Sequence, residues 1–91
     1  MYRNFDDPAY KKRRQEVYKR DDFCCQWPGC NKKNKLNAHH IIRWADSPGL
    51  RYDVNNGITL CRDHHKMING QETYYQAVFR KIVANNNDKR R

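Results

Sequence analysis

Two short pairs of metal-binding residue types, one on each side of a predicted hairpin, constrain the fold of this chain most. Four residues separate Cys25 from Cys30, and two separate Cys61 from His64. Hooks of this kind can meet at a tetrahedral Zn²⁺ ion, which accepts thiolate and imidazole ligands. The spacing therefore predicts a four-ligand structural zinc site.

A chain of this length needs stabilisation beyond its apolar core, and a zinc site can supply it. With 91 residues, a domain buries only about 60 to 65% of its unfolded surface, so its apolar core alone is marginal. A structural zinc can stabilise folding by roughly 10 to 16 kcal/mol. The first residues lack the basic and apolar segments typical of an export leader, and the sequence has no run of about 20 apolar residues. We therefore expect a soluble, cytoplasmic protein with reduced cysteines and no membrane contact.

One cysteine is left over. Either Cys24 or Cys25 could pair with Cys30 in the first hook. The shorter loop favours Cys25, and Cys24 is then expected to be a small buried or half-buried thiol.

The charge of the chain indicates a polyanionic partner. Lysine and arginine number 19 against 10 acidic residues, a formal net charge of +9. The basic segments lack the broad apolar face of a membrane-surface helix, so DNA is the expected partner, with a merely solvated basic face as the alternative. The residues expected to contact phosphate are Lys11, Lys12, Arg13, Arg14, Lys19, Arg20, Arg43 and Arg62. For the last two, simple solvent exposure is an equal alternative.

The amino-terminal half predicts a helix and then the first strand of a hairpin. Asp7 can cap a helix over residues 7–20, and Pro8 suits its first position. Its inward face would hold Tyr10 and Val17. Turn-forming residues dominate from 21 to 35, and the β-formers from Leu36 to Trp44 predict a strand.

The carboxy-terminal half predicts the return strand and two helices. The strand covers residues 58–60, a short helix covers 61–68 and ends at Asn69-Gly70, and a last helix covers 71–84. Four residues of that helix recur at helical spacing and are expected to face the core of the protein: Tyr75, Val78, Phe79 and Ile82. Residues 85–91 are expected to form a flexible basic tail. The whole chain, 1–91, is thus expected to be one α+β domain.

Four polar residues outside the zinc hooks carry the remaining signal: His39, His40, Asn56 and His65. Together with their neighbours they resemble the HNH endonucleases of the ββα-metal, or His-Me finger, class, compact phage-type members included. The resemblance runs from about Arg20 to Lys66. Its blocks are Arg20-Asp21, Ala38-His39-His40-Ile41, Asn56-Gly57-Ile58-Thr59-Leu60-Cys61 and His64-His65-Lys66.

The resemblance implies a catalytic role for each of these residues. His40 would be the general base, and His39 and His65 would hold one divalent ion such as Mg²⁺ or Mn²⁺. Asn56 would either bind that ion or brace the loop, and bracing is favoured. His64 stands where the family usually has a cysteine, which leaves open a swap in which His65 binds zinc and His64 faces the catalytic ion.

The adjacent histidines constrain the geometry of the site. Side chains at successive strand positions point to opposite faces, so His39 and His40 cannot both face one pocket from a regular strand. At least one of them is expected at a strand end or bulge.

The expected function is metal-dependent cleavage of DNA by a monomer or weak dimer, with nicking as the default. Only the resemblance to phage members of the family implies other phage DNA-processing or packaging proteins as partners. The protein would then act in the host cytoplasm. The main alternative, a non-catalytic zinc-knuckle module that binds nucleic acid, would have no use for His39, His40 or His65. An extracellular disulfide-bonded toxin would leave the histidines unexplained. A nuclease domain released from a longer toxin stays open, although Met1 favours a complete chain.

Overall fold

The fold is α+β, with a two-stranded antiparallel sheet between helices, which confirms the predicted class. The computed structural model describes residues 7–43, 46 and 48–89. In that part of the chain, no helix is both long and apolar enough to cross a bilayer. The elements are α1 (Pro8–Arg20), β1 (Leu36–His40), β2 (Gly57–Cys61), α2 (Arg62–Met67) and α3 (Glu72–Lys89). Two short 3₁₀ helices, Pro48–Leu50 and Val54–Asn56, lie in the loop between the strands.

Helix α1 begins where the sequence predicts. The Asp7 carboxylate accepts a hydrogen bond of 2.9 Å from the backbone N–H of Ala9, and Pro8 occupies the first turn. Such a cap satisfies one of the backbone donors that a helix start leaves without an intrahelical partner. Tyr10 and Val17 are buried, as expected of the inward face.

The hairpin is shorter on its first strand than predicted. Strand β1 ends at His40, and its register pairs His39 with Ile58 and His40 with Gly57. Beyond His40 the chain leaves the ladder, because Asn56 takes over the pairing through its own backbone and side chain. Trp44, predicted as the last residue of this strand, lies outside the described residues.

The core lies mainly on one side of β2, which is buried along its whole length. Ile58 and Leu60 pack there with Phe79 and Val83 of α3. On the other side, α1 covers the strand so closely that a Cβ at Gly57 would lie 2.7 Å from the Val17 Cγ2 atom. The hairpin is therefore held between helices that come from the two ends of the chain.

Helix α3 differs from the prediction in two ways. It continues to Lys89, so the prediction of a flexible tail from residue 85 is wrong for residues 85–89. Residues 90 and 91 lie outside the described residues. Asn86 donates to the Asp21 carboxylate at 2.8 Å, which gives a polar side chain a tertiary partner. Within the apolar stripe, Val78 is 48% exposed and Val83 takes the buried position instead.

The prediction that Arg13 and Arg20 contact phosphate is wrong. Both side chains of α1 point inward and are at most 7% exposed. Arg20 donates to the carbonyl of Gly57 at 2.6 Å and forms an ion pair with Asp21 at 2.8 Å. Arg13 donates to backbone carbonyls of the hairpin. These guanidinium groups hold the sheet against α1 and do not face solvent.

Candidate metal and nuclease site

The two predicted hooks converge in space. Within the described residues, one group of four metal-binding side chains has ligand atoms that all lie within 4.8 Å of one another: Cys25, Cys30, Cys61 and His64. The Nδ1 atom of His64 lies 3.2 Å from the Cys61 sulfur and 3.6 Å from the Cys25 sulfur. Three thiols and one imidazole at this spacing suit a tetrahedral metal site, and zinc accepts this donor set.

The remaining thiol is turned away from the cluster. Cys24 Sγ lies 3.3 Å from the carbonyl oxygen of Asp21, which accepts its S–H. The side-chain amide of Gln26 approaches the same sulfur at 3.7 Å. Of the two cysteines that could complete the first hook, Cys25 is therefore the one whose sulfur lies in the cluster.

The thiols of the cluster influence one another's ionisation. Burial raises the pKa of Cys25 to about 11. At Cys61 burial also acts to raise the pKa, but hydrogen bonds, led by the backbone N–H of His64, outweigh it and lower the pKa below its usual range. A bound divalent cation would favour the thiolate form at every position, because metal ligation requires deprotonated cysteines.

An aromatic side chain fixes the His64 ring. Trp27 stacks on it with the ring centroids 4.9 Å apart and the planes 11° from parallel. Trp27 also contacts Tyr75 and Phe79 edge-on, so the cluster is continuous with the apolar core. Trp27 thus packs between the cluster and the apolar core.

The side chains of His39 and His65 form a second contact between potential metal ligands. Their ring centroids are 5.4 Å apart, with planes at 80°. His39 is 5% exposed, and its Nε2 atom is buried with no hydrogen-bond partner in the described structure. Burial, followed by the neighbouring His65, His40 and Arg13, lowers the pKa of His39 to about 3. The ring is therefore neutral at pH 7, the form in which histidine binds metals.

The imidazole nitrogens of His39 and His65 are suitable ligands for a catalytic cation. A buried ring nitrogen without a partner is costly, and ligation would satisfy it. Two imidazoles leave most of a cation's coordination positions open to water and phosphate. The pair His39 and His65 therefore suits a divalent ion that works on a substrate, and the four-residue cluster suits a closed site.

His40 lies on the other face of the hairpin. It is the last residue of β1, so one of the adjacent histidines stands at a strand end as the sequence requires. Its ring stacks on Tyr10 of α1 with centroids 6.3 Å apart, and Nε2 lies 3.0 Å from the carbonyl oxygen of Arg51. A carbonyl can only accept, so in the neutral ring Nε2 carries the proton and Nδ1 the lone pair.

Asn56 is fully engaged with the loop that follows β1. Its Oδ1 atom accepts from the backbone N–H of Ile42 at 2.9 Å. Its Nδ2 group donates to the carbonyls of Ile42 at 3.2 Å and Leu50 at 3.4 Å. The side chain is 6% exposed, and this geometry favours the bracing alternative over metal binding.

The remaining basic residues differ in their surroundings. Arg43 holds Asp46 through two hydrogen bonds of 2.8 and 3.1 Å, so its guanidinium already has an anionic partner. Arg62 is exposed at the start of α2. The other members of the expected DNA-contacting set lie on α1, exposed or half-buried: Lys11, Lys12, Arg14 and Lys19.

Two contacts at the site were not foreseen from the sequence. Tyr10 stacks on His40, and the Arg51 carbonyl lies against the same ring. Every residue type has a backbone carbonyl, so the identity of residue 51 does not indicate this contact. Tyr10 looks in the sequence like any aromatic residue on the inward face of a helix. Neither contact carries a signal that spacing alone could reveal.

Comparison with known families agrees with this geometry. A protein-family model described as HNH endonuclease matches residues 24–69, just over half of the chain. The chain therefore belongs to the HNH endonuclease family. The match covers the metal-binding cluster, the hairpin and α2, and it leaves α1 and the whole of α3 outside. No curated protein and no solved structure matches the chain significantly.

Proposed function

We propose that this protein is a metal-dependent DNA endonuclease that nicks one strand by phosphodiester hydrolysis. His40 is the general base, His39 and His65 hold one divalent ion, and Asn56 braces the loop. The observation that carries the proposal is the pair His39 and His65, whose rings meet while a buried nitrogen of His39 has no partner in the described structure. Ligation of a divalent ion would supply the partner that this nitrogen lacks.

The surroundings of His40 support its role as base. The Arg51 carbonyl and the Tyr10 ring restrain the imidazole from two directions. A neutral imidazole held in this way can take a proton from water, the role of a general base in phosphodiester hydrolysis. Holding the ring before substrate arrives removes an entropic cost from the reaction.

The scissile phosphate is proposed to lie at the end of β1, between the two histidines. His40 would reach the attacking water from one face of the hairpin. His39 and His65 lie on the other face, where they would orient a divalent ion such as Mg²⁺ or Mn²⁺. When bound, that ion would stabilise negative charge on the phosphate and on the leaving oxygen.

Asn56 and the Cys/His cluster are proposed to keep this arrangement rigid. Asn56 stands at one end of the loop 41–56, and its side-chain amide bonds to Ile42 at the other end and to Leu50 within the loop. The cluster, proposed to bind Zn²⁺, anchors α2 through His64, the residue before His65. Neither group needs to touch DNA to matter for cleavage.

DNA affinity is proposed to come from the exposed basic side chains. Those on α1 and Arg62 remain in the DNA-contacting set, and Arg43 could join it by exchanging Asp46 for a phosphate. Contacts of this kind position the protein without reading sequence and weaken with salt. Sequence preference is therefore expected to be modest, and a single set of catalytic residues per chain makes nicking the default.

The decisive experiment is nicking of supercoiled plasmid by wild type and by His40→Ala, with Mg²⁺, Mn²⁺ or EDTA. We expect wild type to nick with at least one of the ions and not with EDTA. Loss of a general base typically costs about 10²- to 10⁴-fold in rate, and the variant should keep its bound zinc and circular dichroism spectrum. Thr73→Ala, at an exposed position early in α3, is the matched control and should nick normally.

Two outcomes would count against the proposal. Undiminished nicking by folded His40→Ala would remove His40 as the base. A folded, zinc-loaded wild type that binds DNA and cuts with neither ion would favour the alternative, a non-catalytic zinc-knuckle module.

A further inference from the structure

Arg13 occupies an unusual environment for a cation. It lies in α1, outside the part of the chain that matches the HNH family, and is 2% exposed. Nη1 donates to the carbonyl of Ala38 at 3.4 Å, and Nη2 donates to the carbonyl of Asn56 at 3.2 Å. No carboxylate of the described residues forms an ion pair with it.

Burying a positive charge without an anionic partner is costly. Burial lowers the pKa of Arg13 to about 10, which still leaves the guanidinium protonated at neutral pH. A methionine would fill similar space at lower cost, so packing alone does not account for this side chain. What an arginine adds is a rigid fork of donors that can reach two acceptors at once.

The two acceptors belong to the two halves of the nuclease motif. Ala38 directly precedes His39 on β1, and the Asn56 carbonyl also accepts from the backbone N–H of Ile41 at 2.9 Å. The guanidinium therefore joins the strand that carries the histidines to the residue that braces the loop.

The neighbouring glycine makes room for this contact. A Cβ at Gly57 would lie 2.6 Å from Arg13 Nη2, closer than a real Cβ comes to a neighbouring heavy atom. Gly57 is also the register partner of His40. Its backbone φ of −124° is extended, so the absence of a side chain there serves the close approach of Arg13 and Val17 and not an unusual backbone conformation.

We infer that Arg13 is a positioning residue of the nuclease centre, which sets the placement of His39 and His40 relative to Asn56 without touching DNA. The inference rests on the proposed function. It also gives α1 two separate roles: an inward cation that shapes the centre and outward cations, such as Arg14, that meet the DNA backbone.

The test compares kcat and KM for nicking among variants of α1 and of Gly57. Arg13→Met should lower kcat by about 10- to 100-fold, the scale of a small misplacement of catalytic groups, with KM within about twofold. Gly57→Ala, whose Cβ would displace the guanidinium and also press on Val17, removes no charge and should also lower kcat. Arg14→Gln should raise KM and reduce the salt slope of binding by about one, with kcat retained. Gln15→Ala, exposed on the same helix, should match wild type.

Amide hydrogen exchange locates the effect independently of activity. In Arg13→Met the backbone N–H groups of Ile41 and Ile42 should exchange faster, because both bond to Asn56. The N–H of Gln26, which bonds to the Thr59 carbonyl, should keep its protection.

The outcomes separate this inference from the proposed function. An inert wild type overturns the proposed function, and the role of Arg13 with it. An active wild type with a normal kcat in folded Arg13→Met, or with a change in KM and salt slope alone, overturns only the role of Arg13. If Arg13→Met does not fold, the kcat values of Arg13→Lys and Gly57→Ala test the role of Arg13 instead. A folded variant with lowered kcat supports the inference, and a normal kcat or loss of folding in both shows that Arg13 serves the fold alone.

Discussion

Two groups of histidine-bearing side chains share helix α2 and differ in how completely they surround a metal. At the Cys/His cluster, His64 meets three thiols, and all four ligand atoms lie within 4.8 Å of one another. One residue later, the His65 ring lies 5.4 Å from that of His39, and within the described residues no third histidine or cysteine joins this pair as a metal-binding group. The first group can close around an ion, and the second leaves room for substrate. We propose that this one turn of helix serves a structural metal site through His64 and a catalytic site through His65.

The closed site is most sharply tested through its two adjacent cysteines. Cys25→Ser should lose bound zinc and unfold, because the lost metal contribution, roughly 10 to 16 kcal/mol, matches or exceeds the stability of a small domain. Cys24→Ser, whose thiol faces the Asp21 carbonyl, should keep zinc and change the free energy of unfolding by only about 1 kcal/mol. Zinc content and circular dichroism give the comparison, and the opposite pattern would move Cys24 into the cluster.

The open site should make stability depend on pH through His39. Burial lowers the pKa of His39 in the folded protein to about 3, well below the unfolded value of 6.5. The unfolded chain therefore binds more protons between these values. Stability from the neutral ring is fully present above pH 6.5 and is lost as pH falls towards 3, by at most about 1.4 kcal/mol per pH unit.

Urea unfolding at pH 7.5, 6.5 and 5.5 measures this dependence. The cluster ligands also take up protons on acidification, so the relevant quantity is the difference between wild type and His39→Leu at equal zinc content. The variant should lose less stability than wild type as the pH falls. Parallel curves for the two proteins would show that His39 is not held neutral by burial.

The smallest expected effect concerns the far end of α3, on the side of the closed site. Asn86 donates to Asp21 at 2.8 Å and to Gln26 at 2.9 Å, next to the first cysteine hook. Asn86→Ala should lower the free energy of unfolding by about 1 kcal/mol and leave the nicking rate unchanged. The matched control is Asn85→Ala, at an exposed position, which should change neither. A fall in nicking for Asn86→Ala would couple the two sites more tightly than we expect.

The elements governed by local signals could be predicted from the sequence. The Asp7 cap and Pro8 define the start of α1, and the glycine at position 70, with a φ of +88°, follows α2 as expected. The ligand hooks also gave the members of the metal-binding cluster, because their spacing is dictated by tetrahedral coordination. Signals of this kind need no knowledge of distant contacts.

The features that depend on distant partners could not be predicted. Arg13 and Arg20 look like surface cations, yet carbonyls of the hairpin hold them inside. The asparagines near the end of α3 look like a frayed terminus, yet Asn86 and Asn87 bond to side chains from earlier in the chain. In each case polar groups that sequence patterns assign to solvent find tertiary hydrogen bonds instead.

The choice between His64 and His65 tests the central claim most directly. Zinc content, circular dichroism and plasmid nicking should be measured together for His64→Gln and His65→Gln. We predict that His64→Gln loses zinc and folded structure, whereas His65→Gln keeps both and loses nicking with either Mg²⁺ or Mn²⁺. If His65→Gln loses zinc while His64→Gln keeps it, or if both variants nick like wild type, the division of α2 between a structural and a catalytic site is wrong.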